Sequence, residues 1–228
     1  MKNKARVKAR EAQTIHGMIA AAIIIVVLLS AWAFGSWYII KDVEHPAYHV
    51  LQKHGSFEIR TYAPYIMAQV KVEGDYSTAL NKGFTLIANY IFGNNVKKSS
   101  IAMTAPVVEQ AQSSENIAMT APVLEKQTTS GSHLVSFIMP SKYTLKTLPK
   151  PNNAAITFVE SPKQTMAVLV FYGPANTATF ERKKKELLAL VIQYHRQTIG
   201  AILTAGYNPP FTFPLLIHNE VLVPVKGE

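Results

Sequence analysis

The chain has no cysteine among its 228 residues. That excludes disulfides, thiolate metal ligands and cysteine nucleophiles together, and it suits an oxidising compartment without requiring one. Aspartate is almost missing too: Asp42 and Asp75 are the only two, one beside a long apolar run and one at a helix start. A Ser-His-Asp triad therefore has few possible members. The closest glycines, Gly200 and Gly206, are six residues apart, so no glycine-rich loop can cradle a phosphate, and neither G-x-S-x-G nor H-E-x-x-H occurs. Paired carboxylates stay open in principle, but no spacing proposes them. The expectation is a protein that is not an enzyme.

Two further readings are weak. The basic run 182–185 is bracketed by Glu181 and Glu186 and has no interleaved aromatics, so it reads as a solvated helix face and not a nucleic-acid surface. Seven histidines are present, but His45 and His49 are separated by Pro46, which opposes the helix that would align them, and no ligand spacing appears elsewhere. No metal site is expected.

What is present begins with residues 18–40, a run without a charged side chain. As a helix it would span roughly 34 Å, more than the ~30 Å hydrocarbon core of a bilayer. Lys2, Lys4, Arg6, Lys8 and Arg10 precede it, and Trp32, Trp37 and Tyr38 cluster toward its far end. Positive charge inside and aromatic rings at the interface give a single-pass signal anchor in the inner (cytoplasmic) membrane, N-terminus cytoplasmic, with the rest periplasmic or otherwise extracytoplasmic. The rival is a cleavable signal peptide ending at Ala31-Trp32-Ala33, although the apolar run continues beyond it. The division is then 1–17 basic cytoplasmic tail, 18–40 transmembrane helix, 41–46 tether and 47–228 domain.

Within that domain, residues 48–52, 57–62 and 65–73 read as strands, the last alternating with Ala68, Val70 and Val72 inward. Asp75 or Ser77 caps a helix to about residue 92 whose core stripe is Leu80, Phe84, Ile87 and Ile91, with Asn81, Thr85 and Ala88 on a second face. Strands follow at 133–139, 156–160 and 165–172, the last apolar enough to be buried on both faces. A second helix starts at Asn176 or Thr177 and runs to about residue 199, with Leu187, Leu188, Val191 and Ile192 inward. Residues 221–225 close the chain as a strand.

Two repeats are visible. Ile101-Ala102-Met103-Thr104-Ala105-Pro106-Val107 recurs as Ile117-Ala118-Met119-Thr120-Ala121-Pro122-Val123, each copy reading as a short strand that ends at its proline, the two joined by a turn near 111–114. At longer range, Met67-Ala68 through Gly74 and Met166-Ala167 through Gly173 share a strand-glycine-helix order. Two similar halves of an α+β domain, with an antiparallel and barrel-like sheet, are the expectation.

These residues resemble the SOUL haem-binding family. Glu58-Ile59-Arg60, Tyr90-Ile91-Phe92-Gly93-Asn94, both copies of the seven-residue repeat, Phe137-Ile138-Met139-Pro140, Leu148-Pro149-Lys150-Pro151, the run from Thr204 through Tyr207-Asn208-Pro209-Pro210, and Asn219-Glu220-Val221 are similar to its motifs, in order, over about residues 47–226. The resemblance implies a distorted antiparallel β-barrel of two pseudo-symmetric halves with two flanking helices. It also implies non-catalytic binding of haem or a related tetrapyrrole in an apolar groove, for buffering or delivery. The groove would be lined by Asn81, Phe84 and Ala88 on the first helix, with Tyr207, Pro210 and Thr212 opposite. Some relatives carry a histidine where this chain has Thr61, so binding without a protein axial ligand is expected. Asn81 replaces a propionate-pairing arginine, and Ile217-His218 replaces a basic position. An envelope scaffold that has lost the ligand is the alternative those departures leave. On this reading the two repeat methionines belong to the barrel and not to iron.

Overall fold

The computed structural model describes residues 2–97, 114–128, 131–209 and 211–227, with side chains from residue 14 onward. One helix, α1 (Lys2–Ile40), takes in both the basic segment and the whole apolar run. Its stretch Thr14–Ile40 is long and apolar enough to cross a membrane. After it come β1 (Tyr48–His54), β2 (Phe57–Tyr62) and β3 (Tyr65–Val72), then α2 (Tyr76–Ile91), capped by Asp75, whose carboxylate accepts from the backbone N–H groups of Ser77 and Thr78. The chain continues through β4 (Asn95–Val96), β5 (Val123–Gln127), β6 (His133–Ile138), β7 (Lys150–Pro151), β8 (Thr157–Ser161) and β9 (Gln164–Tyr172). Asn176 caps α3 (Thr177–Gln193), and β10 (Leu203–Gly206) and β11 (His218–Pro224) complete it.

Nine strands form one curled antiparallel sheet in the order β1-β2-β9-β11-β10-β5-β6-β3-β8. Apart from the extra edge strand β1, the order is symmetric about the β10–β5 pair. One half is β3, α2, β5 and β6; the other is β9, α3, β10 and β11. Each half lends a strand to the other, since β2 pairs with β9 and β8 pairs with β3. The long-range repeat falls on equivalent positions. Ala68 and Ala167 are fully buried beneath α2 and α3 respectively, while Met67 and Met166 turn to the concave side. Gly74 and Gly173 both hold positive φ, 129° and 100°, the backbone that lets each strand turn toward its helix and that a Cβ would resist.

The convex face carries two apolar layers. Val70, Val135 and Phe137 pack under α2, and Ile59, Leu169 and Val221 under α3. Burying each such side chain contributes roughly 1.5–3 kcal/mol. The concave face holds Tyr62, Leu124, Ile138, Met166, Val168 and Leu222.

Four expectations change. The second copy of the seven-residue repeat is not a strand until Val123: residues 117–122 make one isolated bridge, Glu44 with Thr120, and Ile117 instead plugs the core below α2. Pro122 cannot donate to a ladder, which is why pairing starts after it. The first copy and most of the expected turn lie outside the described residues. The second helix stops at Gln193, not near 199, because His195 takes the left-handed conformation (φ 52°) and Arg196 N–H and His195 N–H close back on the Val191 and Ile192 carbonyls. This helix stop normally uses glycine, so the sequence hid it. Leu188 and Ile192 are exposed, and Phe180, Leu187 and Val191 form the buried stripe of α3. On α2 the buried stripe is Ala79, Gly83, Ile87 and Ile91, which leaves Phe84 at its edge. Gly83 explains the rotation: a Cβ there would stand 2.5 Å from Val135 Cβ, so only glycine lets the helix rest this close on β6.

Candidate functional site

The rotation of α2 creates the first candidate surface. Phe84 is 37% exposed, with its ring 5.2 Å from that of Phe137 on β6. Asn81 lies one turn before it, exposed, and Ala88 one turn after it, buried. The spacing of three and seven residues puts all three on one line of the helix. The helix has no acidic residue and one lysine, Lys82. The surface is therefore an aromatic platform flanked by a small side chain and an amide.

The concave face holds a buried ionic network. Arg60 donates from Nε to Glu58 Oε2 at 2.7 Å and from Nη1 to Glu220 Oε1 at 2.9 Å and Tyr62 Oη at 3.1 Å. Its guanidinium also lies 4.3 Å from the Tyr48 ring centre. Tyr207 donates its hydroxyl to Glu220 Oε2 at 2.6 Å, and His218 Nε2 is 3.1 Å from Glu220 Oε1. Burial alone would raise the Glu220 carboxyl, but hydrogen bonds from His218 and Tyr207 and the charge of Arg60 outweigh it and hold the pKa below its ordinary value. Burial first, then the Glu220 charge, pushes the Tyr207 hydroxyl well up. Rings stack outward from this network: His45 lies 5.4 Å from Tyr207, which lies 4.1 Å from His218.

Beside the rim of the concave face is a cavity of about 760 Å³, whose walls include Glu44, His45, Tyr65, Met139, Tyr143 and Glu160. It is within the ~300–1,000 Å³ size of small-molecule sites. Glu44 Oε1 accepts from the Ser141 N–H at 2.9 Å. Burial, then the neighbouring His218, lowers the pKa of His45, which favours its neutral imidazole.

The six residues expected at the groove fall into separate places. Asn81, Phe84 and Ala88 come together on α2. Tyr207 lies on the concave side with Tyr62, Leu124 and Met166, across the sheet from α2. Thr212 is 3% exposed in the loop before β11, and Pro210 is outside the described residues. Among the described residues, no hydrogen bond or ring contact joins Tyr207 or Thr212 to the α2 group. Thr61 shares a 3.3 Å hydrogen bond with Thr165 across two strands. Sequence reasoning did not single out the Arg60 network or the His45 wall. The signal for the first was present, because Glu58 and Arg60 two apart place opposite charges on one face of an otherwise apolar strand.

The sequence model of the SOUL heme-binding protein family matches residues 43–224, and the chain belongs to that family. It is similar to heme-binding protein 2 of Mus musculus, 27% identical over 198 residues that cover 85% of this chain and 86% of that protein. It is also similar to heme-binding protein 2 of Homo sapiens, 29% identical over 179 residues that cover 76% and 80% of the two chains. Among solved structures, the EcmrR C-terminal domain overlays with a TM-score of 0.53 at 9% identity, covering 79% of this chain and 99% of that one. That likeness shows a shared fold alone.

Proposed function

We propose that this chain binds haem or a related tetrapyrrole without catalysing a reaction, and that α1 holds it to the inner membrane with the domain on the extracytoplasmic side, where it buffers or delivers the ligand. The observation that carries the reading is the family match over nearly the whole domain, supported by two relatives named for binding haem.

The platform of Asn81, Phe84 and Ala88 suits such a ligand. Haem has two flat apolar faces and two carboxylates, and α2, which has no acidic residue within it, offers an exposed ring to the first and an amide to the second. Covering several hundred Å² of ligand face contributes on the order of 10 kcal/mol. Association costs of at least about 4 kcal/mol offset part of it. The remainder, at most about 6 kcal/mol, corresponds to an affinity of tens of micromolar, with iron free of a protein ligand. Tyr207 and Thr212 lie away from this platform, Tyr207 across the sheet from it, and are given no contact with the ligand there.

A second reading places the tetrapyrrole in the 760 Å³ cavity, favoured by the imidazole of His45 on its wall, an ordinary haem-iron ligand. Glu44 and Glu160 on the same walls oppose a dianion, so charge favours α2. Titrating the full chain in detergent micelles with haem and with iron-free protoporphyrin tests the function. Saturable Soret shifts with both support it. No saturable shift with either, alongside a recovered protein partner, would leave the scaffold alternative.

A further inference from the structure

The loop between β10 and β11 packs against α1. No charged side chain stands between Arg196 and His218, the longest such stretch outside α1. Residues 211–216 lie against α1: the Trp32 indole Nε1 donates to the Phe211 carbonyl at 2.9 Å, Phe213 N–H donates to Ser36 Oγ at 2.9 Å, and the Trp32 and Phe213 rings meet edge-on at 5.2 Å. Leu216 and Ile217 N–H groups close onto the Phe213 and Pro214 carbonyls in one tight turn. The N–H groups of Thr212, Phe213, Leu216 and Ile217 are thus bonded within the loop or to α1, which lowers the cost of placing this backbone in hydrocarbon. Its apolar side chains do the reverse, since Phe211 is 62% and Leu215 76% exposed.

The depth follows from the helix. The Lys41 ammonium lies 5.5 Å and 4.7 Å from the ring centres of Trp37 and Tyr38, an aromatic and basic girdle of the kind that settles at a bilayer interface. Trp32 is five residues before Trp37, so at ~1.5 Å per residue it sits roughly 7 Å deeper. The Phe211 backbone is hydrogen-bonded at that depth.

We propose that residues 211–216 insert into the same leaflet as the last turns of α1, with Phe211 and Leu215 among the acyl chains. The domain then rests on the bilayer at two points instead of swinging on residues 41–46. The proposal rests on the reading of α1 as a membrane-spanning helix. It has a consequence for function, because a tetrapyrrole dissolved in the membrane would meet a domain held at the surface.

The absence of native cysteine allows a clean test. Single variants Val27→Cys in α1, Leu215→Cys and Phe211→Cys in the loop, and Gln127→Cys at the end of β5 remote from the loop are labelled with an environment-sensitive fluorophore. The full chain is placed in phosphatidylcholine vesicles containing doxyl-labelled acyl chains. Quenching at residues 215 and 211 comparable to that at residue 27, and several-fold above residue 127, is expected. Quenching at 27 with none at 215 and 211 overturns the insertion. Shielding of 215 and 211 from both doxyl lipid and aqueous iodide also overturns it, in favour of a protein contact. No quenching at 27 overturns the spanning reading itself, and the insertion with it.

Discussion

Arg60 and Glu220 are 160 residues apart in sequence, yet Arg60 Nη1 donates to Glu220 Oε1 at 2.9 Å inside the curled sheet. The two belong to different halves, since β2 is the strand the first half lends to the second and β11 is the second half's own. Both side chains are almost fully buried, 3% and 1% exposed. The pair thus fixes the exchanged strand to its host.

Removing one partner strips a buried charge of part of its compensation, leaving Arg60 with Glu58 alone or Glu220 without its guanidinium. Glu220→Met or Arg60→Met should cost about 3–5 kcal/mol in denaturant unfolding. The double variant Arg60→Met/Glu220→Met should cost less than the sum of the single losses, because no orphaned charge remains. Additive losses would show that the pair is not coupled.

Stability should fall at both ends of the pH scale. Glu220 and Glu58 have folded pKa values below their ordinary 4.5, so their contribution is present above about pH 4.5 and is lost as pH falls below it. His45, lowered by burial, tilts the balance the same way below its ordinary 6.5. Tyr62 and Tyr76 are raised by burial, Tyr76 to about 12. The folded state keeps their protons above pH 10, and their contribution is lost as pH rises from there. Melting temperature against pH should show a plateau between these limits, and Glu220→Gln should flatten the acid side.

Gly83→Ala tests why Phe84 is exposed at all. Alanine is favoured over glycine within a helix by about 1 kcal/mol. A Cβ 2.5 Å from that of Val135 cannot be accommodated without moving α2, and such overpacking costs typically 1–3 kcal/mol. A net loss of stability is expected, recovered in part by adding Val135→Ala. A stabilised single variant would mean that α2 does not rest on β6 as described.

The repeat methionines should be dispensable for the ligand. Met119 lies in the segment leading into β5, and Met103 in its sequence duplicate. Met103→Leu and Met119→Leu should each leave the haem Soret shift within about twofold, a change under 0.5 kcal/mol. Loss of the shift in either would return those sulfurs to the iron.

Much of this architecture could be read from residues alone. The 99-residue echo from Met67 to Met166 announced two halves, and the alternation in β3 announced which side faced α2. What stayed hidden depended on close approach and on long-range pairing. Gly83 looks like a helix blemish until Val135 is seen against it. His195 stops a helix where glycine would have signalled the stop. Tyr207 follows a strand whose parity turns it to the concave side, and no local pattern states which side the ligand prefers.

The direct test of binding on α2 is a titration of wild type, Phe84→Asp and His45→Ala, each full-length in micelles, with haem and with protoporphyrin. Wild type should give saturable shifts at tens of micromolar with both. Phe84→Asp should weaken both by tenfold or more, a loss of about 1.4 kcal/mol, and His45→Ala should change neither. Haem binding that survives Phe84→Asp but is lost in His45→Ala, with protoporphyrin unaffected, would contradict the account and move the ligand to the cavity.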